Sequence, residues 1–173
     1  MNETVKTLKE RHSTKKYTGR QVSDELLDAI LEAGLYAPSG LNNQQVYMVA
    51  VRDPETRDML ARLNTQIRGV SSDTFYGAPC VVIVLADPEL YGGWVEDGAL
   101  ALGNMMNAAH ALGLGSCWIH RARETFDLPE GKELLRAWGL PDTLRGVGNC
   151  ILGYGTGEPA RKPRKEGRIL KID

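Results

Sequence analysis

No apolar run in this 173-residue chain is long enough to cross a bilayer, which takes ~20 consecutive residues in a helix. The opening stretch MNETVKTLKERHS lacks the apolar centre of a secretory leader, so the chain is expected to be soluble and cytoplasmic, with no membrane partner. Cysteine is scarce and odd in number. Cys80, Cys117 and Cys150 each sit in an apolar stretch, which argues against a disulfide framework or a zinc site and reads as three buried, reduced thiols. An excess of one charge is also missing. A formal charge of −1 supplies no surplus of cations for phosphate contacts, so no nucleic-acid partner is expected. There is no internal repeat, interdomain linker or low-complexity tract. With 42% hydrophobic residues, the chain reads as one domain over residues 1–173 built on one core.

What is present is a series of punctuated elements. Val5 and Leu8 lie at helical spacing between Glu3 and about Arg11, ahead of the polar stretch Arg11-His12-Ser13-Thr14-Lys15-Lys16-Tyr17. Ser23 is placed as an N-cap, with Asp24 and Glu25 in the first turn, and predicts a helix to about Tyr36. Pro38 disfavours helix at Ala37. Val46 to Val51 reads as a strand, and Asp53-Pro54-Glu55 opens another helix. The run Cys80 to Leu85 predicts a central strand buried on both faces. Trp94 to Leu112, rich in Ala, Gly and Met, predicts a helix buried nearly all round. A short strand over Ser116 to His120, an Arg-rich turn, a helix near Gly131 to Trp138 and a last strand over Val147 to Tyr154 complete the order. From Gly155 to Lys165 the chain is too rich in Pro, Gly and charge to form a core element. The alternation alone suggests a parallel α/β sheet, although periodicity carries no strand direction.

Three segments can carry chemistry. In Arg11-His12-Ser13-Thr14-Lys15, alternate residues of an extended chain point to one side and would present Arg11, Ser13 and Lys15 together, a guanidinium, a hydroxyl and an ammonium suited to a phosphate monoester. The same stretch also reads as a solvated charged loop. Pro38-Ser39-Gly40-Leu41-Asn42-Asn43-Gln44 carries hydroxyl and amide groups able to bond a heteroaromatic edge, or simply ends a helix. Lys162-Pro163-Arg164 is a stiffened cation pair or an untethered basic tail. Gly153-Tyr154-Gly155-Thr156-Gly157 looks like a dinucleotide fingerprint, but no helix follows to meet a pyrophosphate.

Taken in order, Arg11-His12-Ser13-Thr14-Lys15, then Ala37-Pro38-Ser39-Gly40 with Asn42 and Gln44, then Gly113-Leu114-Gly115-Ser116-Cys117-Trp118-Ile119, then Lys162 and Arg164, the chain closely resembles the FMN-dependent nitroreductase family along essentially its full length. The resemblance implies an α+β fold: a mixed, mostly antiparallel sheet packed on helices, including a long hydrophobic core helix, with a C-terminal arm. That implication overrides the parallel sheet. It further implies FMN as cofactor, NADH or NADPH as electron donor, and a homodimer with FMN at the subunit interface. Arg11, Ser13 and Lys15, joined by Lys162 and Arg164, would hold the FMN phosphate, with His12 contributing backbone. Pro38, Ser39, Gly40 and Asn42 would reach the flavin of the other subunit, and Ile119 and His120 would line the ring near N1 and O2.

The implied reaction is ping-pong reduction of nitroaromatic, quinone or similar electron-poor small molecules, with chemistry on the flavin and no catalytic side chain of the protein. Flavin binding with little turnover, or reduction of an enone or a carbon–halogen bond, would use the same motifs. His120 or Arg121 could supply a donor near N1 and O2, while His110 reads as a core or interface histidine. Tyr91 and Trp94 are candidates for substrate stacking or for anchoring a helix start. The family commonly carries Pro-Trp where this chain has Gln45-Val46, so the substrate wall is expected to differ. The ring contact between the second and third strands has Asn64, Arg68 and Ser71 as candidates.

Overall fold

The sheet is built around seven consecutive buried residues, Cys80–Ala86 (β2). Both faces of this strand are apolar because both are covered. Val81, Ile83 and Leu85 point into one core layer with Leu60, Phe75, Phe126 and Leu135. Cys80, Val82 and Val84 point into the other, with Ile30, Leu102, Met105 and Ala109. In the computed structural model, which describes residues 1–157 and 162–172, β2 pairs with Val46–Val51 (β1) on one side. On its other side lies Arg145–Gly153 (β4), which in turn pairs with Gly115–Ile119 (β3). The order is β1-β2-β4-β3, with β2 and β4 central, and every pairing is antiparallel. A parallel bridge between Ser13 and Ser116 adds the mixed element at the β3 edge.

Helices Glu3–Glu10 (α1), Asp24–Leu35 (α2), Pro54–Arg68 (α3), Trp94–Ala111 (α4), Ala122–Asp127 (α5) and Pro129–Ala137 (α6) cover the sheet. α2 and α4 supply one layer, and α3, α5 and α6 the other. Ser23 accepts from the Leu26 amide and Asp53 from the Thr56 amide, so both helix starts fall where their side-chain caps place them. Gly69, in the left-handed conformation at φ 71°, ends α3. Among the described residues no helix is long and apolar enough to cross a membrane. The three cysteines are free and buried. Burial pushes the Cys80 thiol up to about 12 and the Cys150 thiol well above its ordinary value.

Several expectations are corrected. The mostly antiparallel α+β sheet that the resemblance implies is what the chain builds, and the parallel sheet suggested by alternation alone is excluded because α3 leaves and returns at the same end: Val51 closes β1 opposite Val81 at the start of β2. The Arg-rich turn is the start of helix α5, whose buried Ala122, Thr125 and Phe126 recur at helical spacing over too few residues to show a period. The helix expected near Gly131 begins at Pro129, and the last strand begins at Arg145. α4 is not buried all round. Asp97, Gly98, Ala101, Leu102, Met105 and Ala109 form its buried stripe, while Leu100 and Leu112 are exposed in the single chain. The tail has no helix or strand over residues 162–172, and its residues 158–161 lie outside the described residues.

α5 lies against β4 with no room for a side chain between them. A Cβ on Gly146 would sit 2.2 Å from the Ala122 carbonyl carbon and oxygen, both backbone atoms that cannot swing aside. Gly146→Ala is therefore expected to lower stability by about 1–3 kcal/mol through overpacking. The urea unfolding midpoint measures it, and an unchanged midpoint would contradict this close approach.

Candidate functional site

Residues 13 to 18 do not form a solvated loop. The Thr14 amide donates to the Ser116 carbonyl (2.9 Å), the Thr18 amide to Tyr154 (2.9 Å) and the Thr156 amide to Lys16 (3.0 Å), so the segment is held along the edge of the sheet. Gly115 permits the approach, because a Cβ there would be 2.7 Å from the Thr14 side chain. The Tyr17 hydroxyl donates to the Thr14 carbonyl at 2.7 Å, and burial pushes its pKa above the ordinary phenol value, so it remains a neutral donor. Extended geometry then turns Ser13 and Lys15 to one side, where both are exposed and line a cleft of about 750 Å³.

The Lys15 ammonium lies 5.4 Å from the centroid of the Tyr76 ring, which also lines this end of the cleft. Tyr76 adopts φ 53° in a turn fastened by Asp73, whose carboxylate accepts from the Phe75 amide (2.7 Å), the Gly77 amide (2.8 Å) and Arg57 (2.8 Å). Burial opposes ionisation of Asp73, but the Arg57 hydrogen bond and the two amides outweigh it and hold the carboxyl below its ordinary range.

At the other end of the cleft, β3 finishes in a backbone tied inward by buried amides. Asn64 is 1% exposed and donates to the His120 carbonyl at 2.6 Å, and Asn149 donates to the Ile119 carbonyl at 3.4 Å. No peptide bond among the described residues is cis. In a trans peptide the carbonyl and N–H point oppositely, so the N–H groups of His120 and Arg121 face away from these amides. Asn64 Oδ1 is buried, belongs to a residue lining the cleft, and has no hydrogen-bond partner among the described residues. An unmatched acceptor of this kind is costly unless a ligand supplies the donor. Arg121 adopts φ 80°, pairs with Glu124 at 2.6 Å, and accepts the Thr125 hydroxyl on its carbonyl at 2.8 Å. Burial raises the Glu124 carboxyl, yet its hydrogen bond to Arg121 brings it below the ordinary range.

The profile of the Nitroreductase family matches residues 8–70 and 63–155. A homologue from Archaeoglobus fulgidus, provisionally named an NADH dehydrogenase/NAD(P)H nitroreductase, is 33% identical over 158 residues, covering 89% of this chain and 86% of its own. The chain belongs to the nitroreductase family. An FMN reductase [NAD(P)H] from Bacillus subtilis is 29% identical over 95% of this chain and 70% of its own. The crystal structure of a nitroreductase with bound FMN from Bacteroides fragilis superposes with a TM-score of 0.92 at 33% identity, covering 100% of both chains.

The residues singled out by sequence fall into two groups. Ser13, Lys15, Ile119 and His120 line the cleft, as do Asn64 and Arg68. Arg11, half-buried at the end of α1, does not line it. His12 sits beside the Glu10 carbonyl (3.2 Å) and meets the His110 ring edge-on at 5.9 Å. Ser71 lies in a separate depression with Arg57 and Arg62. Lys162 and Arg164 are exposed and do not line the cleft, and neither do Pro38 and Asn42, which are exposed, or Ser39 and Gly40, which are half-buried. Tyr91 packs on the Ser39 loop rather than over the cleft, since a Cβ on Gly40 would lie 2.0 Å from its ring. Trp94 stands behind the rim, with Arg123 4.8 Å above its ring.

Sequence reasoning missed Tyr76, Trp118, Arg123 and above all Asp97. Asp97 is 4% exposed and accepts from the Gly40 amide and from the Gln45 side chain, both at 2.9 Å. It fastens a loop in which Leu41, Asn42 and Gln44 all have positive φ. The sequence offered no distinguishing signal, because Asp97 follows Glu96 in the first turn of α4, where carboxylates are ordinary. Asp97→Ala would leave two buried donors unmatched and is expected to cost on the order of 2 kcal/mol. Faster hydrogen exchange at the Gly40 amide and a lower urea midpoint would register the loss; an equally protected Gly40 would refute this anchoring.

Proposed function

We propose that this chain is an FMN-dependent NAD(P)H oxidoreductase acting on nitroaromatic, quinone or similar electron-poor small molecules, one FMN-binding domain over residues 1–173, working as a homodimer. The observation that carries the reading is the match between the two ends of the cleft and the two ends of FMN. Ser13 and Lys15 offer a hydroxyl and an ammonium to the phosphate. At His120, four residues beyond Ser116 and about 13 Å away at ~3.3 Å per residue, the orphaned Asn64 Oδ1 is an acceptor suited to the one N–H of an isoalloxazine pyrimidine ring. The N–H groups of His120 and Arg121 and the Arg68 guanidinium suit its carbonyl edge.

The chemistry that FMN supplies when bound is two-electron transfer between a nicotinamide and an acceptor. The protein's residues hold it, align the reactants and keep the ring edge supplied with donors. A single cleft that serves donor and acceptor must receive them in turn, which is ping-pong order. Arg11 is placed one alternation before Ser13, beside the same strip, and joins the phosphate set in this reading.

The homodimer completes the site. Pro38, Ser39, Gly40 and Asn42 belong to a fastened loop that does not line its own cleft, and in this reading it serves the partner's flavin. Lys162 and Arg164 likewise close on a phosphate only from a repositioned arm or across the interface. Ile169, Leu170 and Ile172 are 83–85% exposed on that arm, and Tyr36 and Leu41 are 80% and 90% exposed beside the loop. An array of bare apolar side chains this extensive is suited to burial against a second copy.

Lys15→Ala is expected to weaken FMN binding about 10- to 100-fold, the worth of one charge-assisted contact, read by quenching of flavin fluorescence on titration. Unchanged affinity would remove Lys15 from the phosphate site. The Ile169→Asp/Leu170→Asp double variant should yield monomers that elute without flavin in size-exclusion chromatography with light scattering. A monomer carrying full flavin would show that each site is complete within one chain.

A further inference from the structure

Four cations, Lys15, Arg68, Arg121 and Arg123, line the cleft against one carboxylate, Glu124, in a chain whose formal charge is −1. In the FMN reading three of the cations are accounted for. Lys15 stands at the phosphate end and Arg68 at the ring edge, and Arg121 is neutralised by Glu124 at 2.6 Å. Arg123 is left over. Its guanidinium lies 4.8 Å over the Trp94 ring and enters no ion pair among the described residues. Arg145 approaches the other part of the same ring at 5.8 Å but is occupied by Asp127, to which its Nε donates at 2.9 Å.

Stacking holds a guanidinium plane in place while leaving its N–H edge free. Arg123 is exposed, makes no hydrogen bond among the described residues, and rests over the Trp94 ring, so its donors are open to a ligand at a smaller entropic cost than those of a freely rotating side chain. Its neighbours along the cleft wall are Val95 and Val147, which are apolar. A molecule that lies over a flavin in this cleft meets an apolar wall that ends in a prepared cation, just past the His120–Arg121 peptide.

We propose that Arg123, held by Trp94, is a specificity-determining anchor for an anionic group on the molecule that occupies the cleft with the flavin, so that planar aromatic substrates bearing a carboxylate, sulfonate or phosphate are preferred over neutral ones. The proposal rests on the FMN reading above. The same chemistry would also serve the extra phosphate of NADPH, and the arms of the test separate the two sources.

The test uses the flavin-loaded wild-type protein and Arg123→Gln, with Arg123→Lys as the conservative variant. Calorimetric binding of benzoate and of benzamide, which undergo no redox chemistry, gives the charged-to-neutral preference directly. The kcat/KM for 4-nitrobenzoate over 4-nitrobenzamide, and for NADPH over NADH, gives it in turnover. Arg123→Gln is expected to lower the benzoate-to-benzamide preference about tenfold, the worth of one ion-assisted contact, with the turnover effect in KM rather than kcat. Arg123→Lys should restore part of it. A fall in the benzoate and 4-nitrobenzoate ratios identifies an anionic acceptor, and a fall only in the NADPH-to-NADH ratio identifies the donor's phosphate; either supports the anchor. Ratios that stay the same in all three pairs overturn it. A wild-type protein that binds no flavin would fail the FMN reading instead, whereas a flavin-loaded protein whose ratios Arg123→Gln leaves unchanged would fail the anchor alone.

Discussion

The hydrogen bond from the Thr14 amide to the Ser116 carbonyl turns a run of charged residues into an extra strip at the β3 edge. An edge strand presents unpaired backbone groups that must find partners. Here the partner is a segment whose alternate side chains are a hydroxyl and an ammonium. Satisfying the edge and building one end of the cleft are therefore the same event. The Gly115 backbone without a side chain and the inward Tyr17 hydroxyl both serve that contact, and the position of Ser13 and Lys15 follows from it.

The opposite end of the cleft depends on the interior. Asn64 projects from α3 and Asn149 from β4, and both capture carbonyls at the end of β3. Two buried amides from different elements thus set the orientation of two successive peptides. Such polar pairs are expensive to bury unmatched, so they specify a single backbone arrangement. The αL conformation of Arg121, disfavoured for a residue with a side chain, persists where Glu124 and Thr125 hold it on one side and Asn64 holds the preceding carbonyl on the other. The acceptor left over on Asn64 then gives the cleft its ligand requirement.

A second fastening, Asp97 to Gly40 and Gln45, holds a loop that does not line the cleft of its own chain. The firmly fixed loop lies near apolar side chains that the single chain leaves bare, Tyr36 and Leu41 beside it and Leu100 on α4, with Ile169, Leu170 and Ile172 on the C-terminal arm. In the proposed dimer the loop of one chain and the cleft of the other are complementary halves, and cofactor binding and association depend on the same residues.

Element positions were legible in the sequence wherever a local signal existed: the Ser23 and Asp53 caps, the apolar run of β2, and the Gly-rich stop before β3. The motif order was legible too, and with it the family. Short α5 was not, because six residues hold too few periods, and Asp97 and Arg123 read as ordinary charges. By itself the sequence determined which segments are helix or strand, which thiols are buried, and which motifs carry hydroxyls, amides and cations. Only the tertiary structure decided the strand order and register, that Ser13, Lys15, Asn64 and Arg68 share one cleft while Ser71, Tyr91 and the Ser39 loop do not, and that Arg123 lies over Trp94. Strand order and the convergence of distant side chains arise from contacts between residues tens of positions apart, and local composition and periodicity contain no record of them.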